Sequence, residues 1–527
     1  MPKYIRKNAW NHGGTFANTE LYWYAVGVRE MQQRQLDDPC SWWFFAAIHG
    51  EYISAGTFPG WGHLPAPPPT PTAPLPTLAV QKKYWDQCQH QSWYFPPWHR
   101  GYLFALEAQI RFAIRRQGGP ANWSLPYWNY FGPGNQYQIP PAFTAATLPN
   151  GSANPLLVAA RYGPSGNGNI FVPTNTAVNG PVNQQCLLND LYTGSDAVTP
   201  PPGFGGPSTG FSHFGGTSGN LESNPHNLVH NFVGGSAPGG ATWGLMSDPG
   251  LAALDPIFYL HHANIDRMWA AWNTVHPNPT VPAWLNGPAS IGQRPFVMPV
   301  PDENKCDGKS WVYTPREMNS TSQLDYTYED LAPPAPAGNT LAKRLKTLGV
   351  TSDAANVTEE AVVTANTSME LMGAAEQPLR IAGMGAETTV RLDPSVRNKL
   401  SASLTTAAET LAPDRTFLNL HDVHGTHEGI VLNVYLDVPE GETPDQHPEL
   451  CAGTVGLFGL HRASLADGPH AGQGLNFILE ITGIVDRLHL DGQLDSDVLR
   501  VNIVPYQEIP GQAEITVGGI SVYRQGE

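Results

Sequence analysis

The stretch Asp255-Pro256-Ile257-Phe258-Tyr259-Leu260-His261-His262-Ala263-Asn264-Ile265-Asp266-Arg267-Met268-Trp269 decides how this chain is read. Asp255 followed by Pro256 is a helix start, a capping residue with proline at the first helical position. The spacing predicts a helix over about 256–273. On it Phe258, His262 and Asp266 stand four residues apart and share one face. That puts an aromatic ring beside the His262 imidazole. It also places Asp266 to orient the second ring nitrogen, the common outer partner of a metal-bound histidine.

Upstream, Asn224-Pro225-His226-Asn227-Leu228-Val229-His230 puts two imidazoles four apart on a short helix over 224–232. Such a pair alone is ordinary; with His262 it makes a trio able to hold one metal. A second trio lies nearer the start. His49 ends an apolar helix over 40–54, His90 sits in a loop, and His99 opens a helix over 97–117 that stops at Gly118-Gly119. A further helix is predicted over 17–37. A lone histidine on an apolar helix is usually a satisfied core residue. Two independent trios, each framed by aromatics and prolines, argue against that. These six are a minority of the 18 histidines.

The 527 residues predict two to four domains. Lys plus Arg is 29 against 45 Asp plus Glu, a net charge of -16, which excludes a phosphate-binding surface for nucleic acid and an anionic membrane face. Apolar residues are 41% and charged ones 14%, enough to bury a large core, while 54 Gly and 50 Pro predict long structured loops. Cysteines 40, 88, 186, 306 and 451 are odd in number and widely spaced, which excludes a disulfide-dense scaffold. No secretory signal and no apolar run of membrane-spanning length is seen, so a cytoplasmic location is expected. The oligomeric state is left open.

The character of the chain changes near 330. Residues 331–338 are rich in proline and alanine, and 331–390 reads as a linker or lid segment. Residues 391–527 read as an antiparallel β-sandwich-like domain, with strands at 428–438, 474–485, 497–506 and 513–524. There His421, His424 and His427, three apart, read as an ordinary turn. The fold class is thus multidomain α + β, a helical domain over 1–330 followed by a β-domain.

Phe95-Pro96-Pro97-Trp98-His99-Arg100 and the 255–269 stretch resemble the two signatures of type 3 copper proteins, the tyrosinases, catechol oxidases and molluscan haemocyanin units. The nine-residue step from His90 to His99 and the pair His261-His262, whose second member is normally the ligand, are similar too. Arg6 and Tyr326-Thr327-Tyr328 resemble the ends of that family's catalytic domain. The resemblance covers roughly 1–330. It implies a four-helix bundle holding two copper ions, one on His49, His90 and His99 and one on His226, His230 and His262, with O2 as co-substrate and small phenols as substrates. It implies a thioether joining Cys88 to His90, which restrains a ligand carried on a loop. Read without it, Cys88 is a buried thiol. Where similar enzymes are latent, the C-terminal domain covers the site.

Within that family the pocket residues discriminate. Glu222 and Asn227 match an acid and an amide that hold a water accepting the proton of an incoming phenol; Glu222 alone reads as a carboxylate at a helix N-terminus. Pro249, thirteen residues before His262, and Asn231, after His230, occupy gate positions, and their small size favours monophenol access. The expected activity is therefore tyrosinase. The alternatives are catechol oxidase, o-aminophenol oxidase, an oxygen carrier, and a structural zinc protein.

Overall fold

The computed structural model describes residues 2–51, 59–63, 70–194, 202–212, 216–240, 242–302, 309–332, 340–350, 368–410, 413–466, 472–494 and 496–526. The chain divides into two compact units. One comprises Met1–Gln184, Thr209–Phe214 and Asn224–Pro333; the other comprises Gln185–Ser208, Gly215–Ser223 and Pro334–Glu527. Two segments before 330, Gln185–Ser208 and Gly215–Ser223, thus cluster with the C-terminal unit.

In the first unit the helices α1 (Thr19–Gln32), α2 (Trp42–His49), α3 (Phe95–Arg116), α4 (Leu228–Gly234) and α5 (Ile257–Trp272) lie where the periodicity puts them. Ser41 caps α2 through its side chain, and eight consecutive buried residues leave that helix no solvent face. Pro96 and Pro97 open α3, where a missing N–H costs nothing. Gly118, at φ +76, ends it in the left-handed conformation that glycine adopts without strain. Gly101 lets Tyr313 approach; a Cβ there would lie 2.3 Å from its ring. At the start of α5 the Asp255 carboxylate accepts the Ile257 N–H at 3.0 Å and is itself gripped by Arg161 through Nε and Nη2.

The chain ends of this unit are tied by a parallel pair, β1 (Tyr4–Arg6) with β2 (Tyr326–Tyr328), in which Arg6 stands opposite Tyr328. Arg6 is fully buried and bonds Glu107 at 2.8 Å and Asp266 at 3.1 Å. Arg100 takes the other Asp266 oxygen, and Tyr326 and Tyr328 both donate to the first. This corrects the expectation for Asp266. Its oxygens are spent on two guanidinium groups and two phenols, and His262 Nδ1 has no bonding partner among the described residues. Two buried cations need a counter-charge more than an imidazole needs an orienting acceptor. Burial pushes the Asp266 carboxyl up, but Arg100 and Arg6 more than offset it and hold it below the usual range.

The C-terminal unit holds one antiparallel sheet, described here as β3 (Ser368–Ala375), β4 (Leu379–Ile381), β5 (Ala386–Leu392), β6 (Arg415–His424), β7 (Val431–Leu436), β8 (Cys451–Gly456), β9 (Leu475–Glu480), β10 (Val498–Pro505) and β11 (Ile515–Gly526). Its order is β8-β7-β10-β5-β3-β11-β6-β9, with β4 also on β11. The edge strands approach each other where Gly453 faces Leu479, so the antiparallel sheet expected of this domain curls round on itself. Helices α6 (Pro394–Thr405), α7 (Leu460–Ser464) and α8 (Thr482–Leu490) pack into it, and Leu400, Leu418, Val434, Leu460, Val501 and Val522 are all fully buried.

The expected linker is also corrected. Its segment 331–390 contains β3, β4, most of β5 and a helix, Thr340–Thr347. β3 pairs with the last strand, Ser368 opposite Gly526, a long-range pairing that no local pattern announces. The expected strand over 474–485 ends at Glu480 and gives way to α8. Residues 333–338 of the Pro-rich stretch, and 351–367, lie outside the described residues.

Cys40 is disulfide-bonded, whereas Cys306 lies outside the described residues. Among the described residues no helix is long and apolar enough to cross a membrane.

Candidate metal centre

Four helices bring the histidines together. His49 is the last residue of α2, His99 lies in the first turn of α3, His230 lies in α4 and His262 in α5. His90 comes from the loop before α3, with its N–H held by Ser212 O at 3.1 Å. His226 precedes α4 in an irregular π-turn, Glu222–Asn227, where Asn224 leaves helical geometry. All six are at most 3% exposed.

They form two groups, His49 with His90 and His99, and His226 with His230, His261 and His262, each group offering nitrogen atoms within 4.8 Å of one another. The groups adjoin: the His99 and His262 rings stack with centroids 4.5 Å apart. His261 is an addition to the expected set. Its ring stacks on His226 and meets Tyr130.

Which nitrogen faces inward is decided by what the other one bonds. His49 Nδ1 donates to Pro249 O at 2.9 Å, His99 Nδ1 to Phe95 O at 2.8 Å, and His230 Nδ1 to Met246 O at 2.7 Å. His226 Nδ1 donates to Asn227 Oδ1 at 2.8 Å. A carbonyl can only accept, so each ring carries its proton on Nδ1 and turns a bare Nε2 inward. The Nε2 atoms converge accordingly: His49 to His99 at 3.5 Å, His226 to His262 at 3.2 Å, His230 to His262 at 3.3 Å. Metal–imidazole bonds of about 2.0–2.1 Å place adjacent donors roughly 3 Å apart, so the residues present fit an ion in each group.

Electrostatics agree. Burial pushes His99 and His230 down to about 3. Burial first, and then neighbouring imidazoles, hold His226, His261 and His262 well below the ordinary histidine range. The site keeps its imidazoles neutral, which is the form that binds a metal.

Two phenyl rings pin the groups against each other. Phe258 lies 4.2 Å from the His262 ring and 4.8 Å from His49. Phe95 lies 4.6 Å from both His99 and His226. Phe95 was missed in sequence, although it stands four residues before His99 as Phe258 does before His262. The three backbone carbonyls were missed as well, and no side-chain pattern announces them.

The remaining expected residues are placed as follows. Cys88 and Glu222 are buried. Pro249 is buried and acts through its carbonyl on His49, a different part from the gate expected of its side chain. Asn231 is buried with neither side-chain amide atom bonded to a described residue.

Comparison with known proteins fits this geometry. The profile of the common central domain of tyrosinase matches residues 39–275, and a domain of unknown function (DUF7868) matches 368–525. Tyrosinase HcTyr1 of Hahella sp. (strain CCB-MM4) is 32% identical over 520 residues, 96% of this chain and 97% of that one. The chain belongs to the tyrosinase family. Aureusidin synthase of Antirrhinum majus is 32% identical over a shorter stretch, 35% of this chain and 32% of its own. The structure of latent apple tyrosinase superposes with a TM-score of 0.57 at 20% identity, covering 100% of this chain and 98% of that one, and shows the shared fold. The family is one of dicopper oxidoreductases, and the two histidine groups fit its two copper sites.

Proposed function

We propose that this chain is a tyrosinase in the strict sense, ortho-hydroxylating monophenols with O2 and oxidising o-diphenols to o-quinones. The observation that carries the reading is Asn227. Its Oδ1 is committed to His226 Nδ1, so its amide N–H donors point away from that bond. A phenol has a pKa near 10 and must lose its proton to react. Glu222, buried five residues earlier in the same turn, is a carboxylate able to polarise a water as general base, with the Asn227 amide donating to that water. The whole-length likeness to a relative named tyrosinase supports the same activity.

Bound copper supplies O2 binding and accepts the electrons of the oxidation. The protein's part is to hold neutral imidazoles in place, to keep water away through Phe95 and Phe258, and to take up the phenol proton. We also propose that the region after 333 acts as a lid.

The test is copper content with O2 uptake on a monophenol and on a catechol, before and after limited proteolysis. Two coppers with monophenol uptake are expected, stronger after cleavage. Uptake on catechol or o-aminophenol alone makes the chain an oxidase without monophenolase activity. Two coppers with reversible O2 binding and no turnover make it a carrier.

A further inference from the structure

One short segment serves both histidine groups. The turn Leu245–Ser247 and the two residues after it present two carbonyls, Met246 O to His230 and Pro249 O to His49. His230 belongs to one group and His49 to the other. The segment is clamped at both ends. Gly244 N donates to Gly235 O at 2.9 Å, and Leu245 N to Ala160 O at 3.0 Å. Ser247 packs so close to α4 that a Cβ on Gly234 would lie 2.4 Å from its backbone nitrogen. Downstream, Leu254 O accepts the indole N–H of Trp42, on the helix that ends in His49.

The brace inside the segment is Asp248, 3% exposed. Its Oδ1 accepts Gly250 N–H at 2.8 Å, its Oδ2 accepts the Trp243 indole N–H at 3.2 Å, and its carbonyl accepts Leu251 and Ala252 N–H. None of these bonds goes to a histidine, yet they fix the backbone between the two carbonyls that orient His230 and His49.

We propose that Met246–Pro249 is a shared positioning strap, set by Asp248, through which the two metal sites keep or lose their ions as a pair. This rests on the reading that each histidine group holds copper. His226 provides the contrast, because its anchor is its own neighbour Asn227 and serves one site alone.

The experiment loads wild type, Asp248→Ala, Asp248→Asn and Asn227→Ala with copper and follows loss to a chelator, by copper per chain and by EPR. A lone cupric ion gives an EPR signal; an adjacent coupled pair does not. Asp248→Ala is expected to lose copper about tenfold faster than wild type, the usual scale for removing an outer-shell partner. Its residual copper should stay EPR-silent, because the sites empty together. Asp248→Asn keeps the acceptor for Gly250 and recovers most of the retention. Asn227→Ala should pass through a one-copper state with a visible signal. Should Asp248→Ala fail to fold, Trp243→Phe, which removes a single bond of the brace, takes its place with the same two readings. Copper held as firmly as in wild type, or a one-copper signal growing in, overturns the strap. A wild-type chain that takes up no copper overturns the metal reading itself.

Discussion

Two sets of histidines in this molecule look alike in sequence and end differently. In the first unit His226, His230 and His262 turn their Nε2 atoms inward, as do His49 and His99. In the C-terminal unit His421 and His424 lie on β6, three apart. His421 Nε2 bonds Ser521 Oγ at 2.7 Å, and His424 meets Asp422 O through Nδ1 and Gly472 O through Nε2. Among the described residues they join no metal-binding group. Spacing of four on a helix stacks side chains on one face, whereas residues three apart on a strand point to opposite faces. The second difference is what the carbonyls take. In the first unit they take one nitrogen and free the other; at His424 they take both.

The sharpest way to break this contrast is to remove one histidine from each set. His262→Ala should lower copper from two per chain to at most one and reduce O2 uptake on catechol by more than about 10³-fold, a loss of roughly 4 kcal/mol in barrier lowering. Near-unchanged circular dichroism would show that the fold survives. His424→Ala should leave both copper content and uptake at wild-type values; a loss of copper there would erase the distinction drawn above.

Next in size is the carboxylate that turned out not to serve His262. Asp266→Ala leaves Arg6 and Arg100 buried without their counter-charge and should cost about 3–5 kcal/mol in denaturant unfolding. Asp266→Asn should cost less, because it keeps acceptor capacity. If Asp266→Ala released copper without loss of stability, the original reading of Asp266 would regain its place.

A smaller effect is expected at Asn227. Asn227→Leu removes the His226 anchor and should weaken copper binding about 10–100-fold, with monophenol oxidation falling more than catechol oxidation. Equal falls for both substrates would leave the anchor and remove the proton-handling role.

A separate effect is expected on acid stability of the metal-free chain. His99 and His230 are held at about 3 by burial, whereas an exposed histidine takes its proton near 6.5. Between those values the unfolded chain binds more protons, so folding stability falls as pH drops from about 6.5 towards about 3. His427, pushed down to about 4 by burial, adds the same sign over a narrower window. Urea titrations of metal-free chain at pH 7 and 5 read this directly; stability that rises on acidification contradicts the buried, neutral site.

Cys88 offers an independent check on the loop ligand His90. The expected thioether makes the peptide carrying both residues lighter by two hydrogens and leaves Cys88 unreactive to thiol reagents in denaturant. A full complement of reactive thiol there returns Cys88 to a plain buried side chain.

Much of the site could be read directly because helical spacing is local. Phe258 beside His262, and His226 beside His230, follow from a repeat of four. The starts of α3 and α5 follow from proline and aspartate chemistry. Asp266 shows the limit: it shares a helix face with His262, but Arg6 and Tyr328 arrive from the far ends of the unit and claim it. The first strand of the tail was missed for the same reason, since β3 lies between β5 and β11, and β11 comes about 150 residues later.

By itself, then, the sequence determined two groups of imidazoles on helices and the loops beside them, an acidic chain, and a strand-rich tail. Only the tertiary structure decided which nitrogen of His49 and of His230 faces inward, because that rests on the carbonyls of Pro249 and Met246. Backbone oxygens are the same at every residue. Their position depends on the path of the chain, and the path is set by contacts between segments far apart in it.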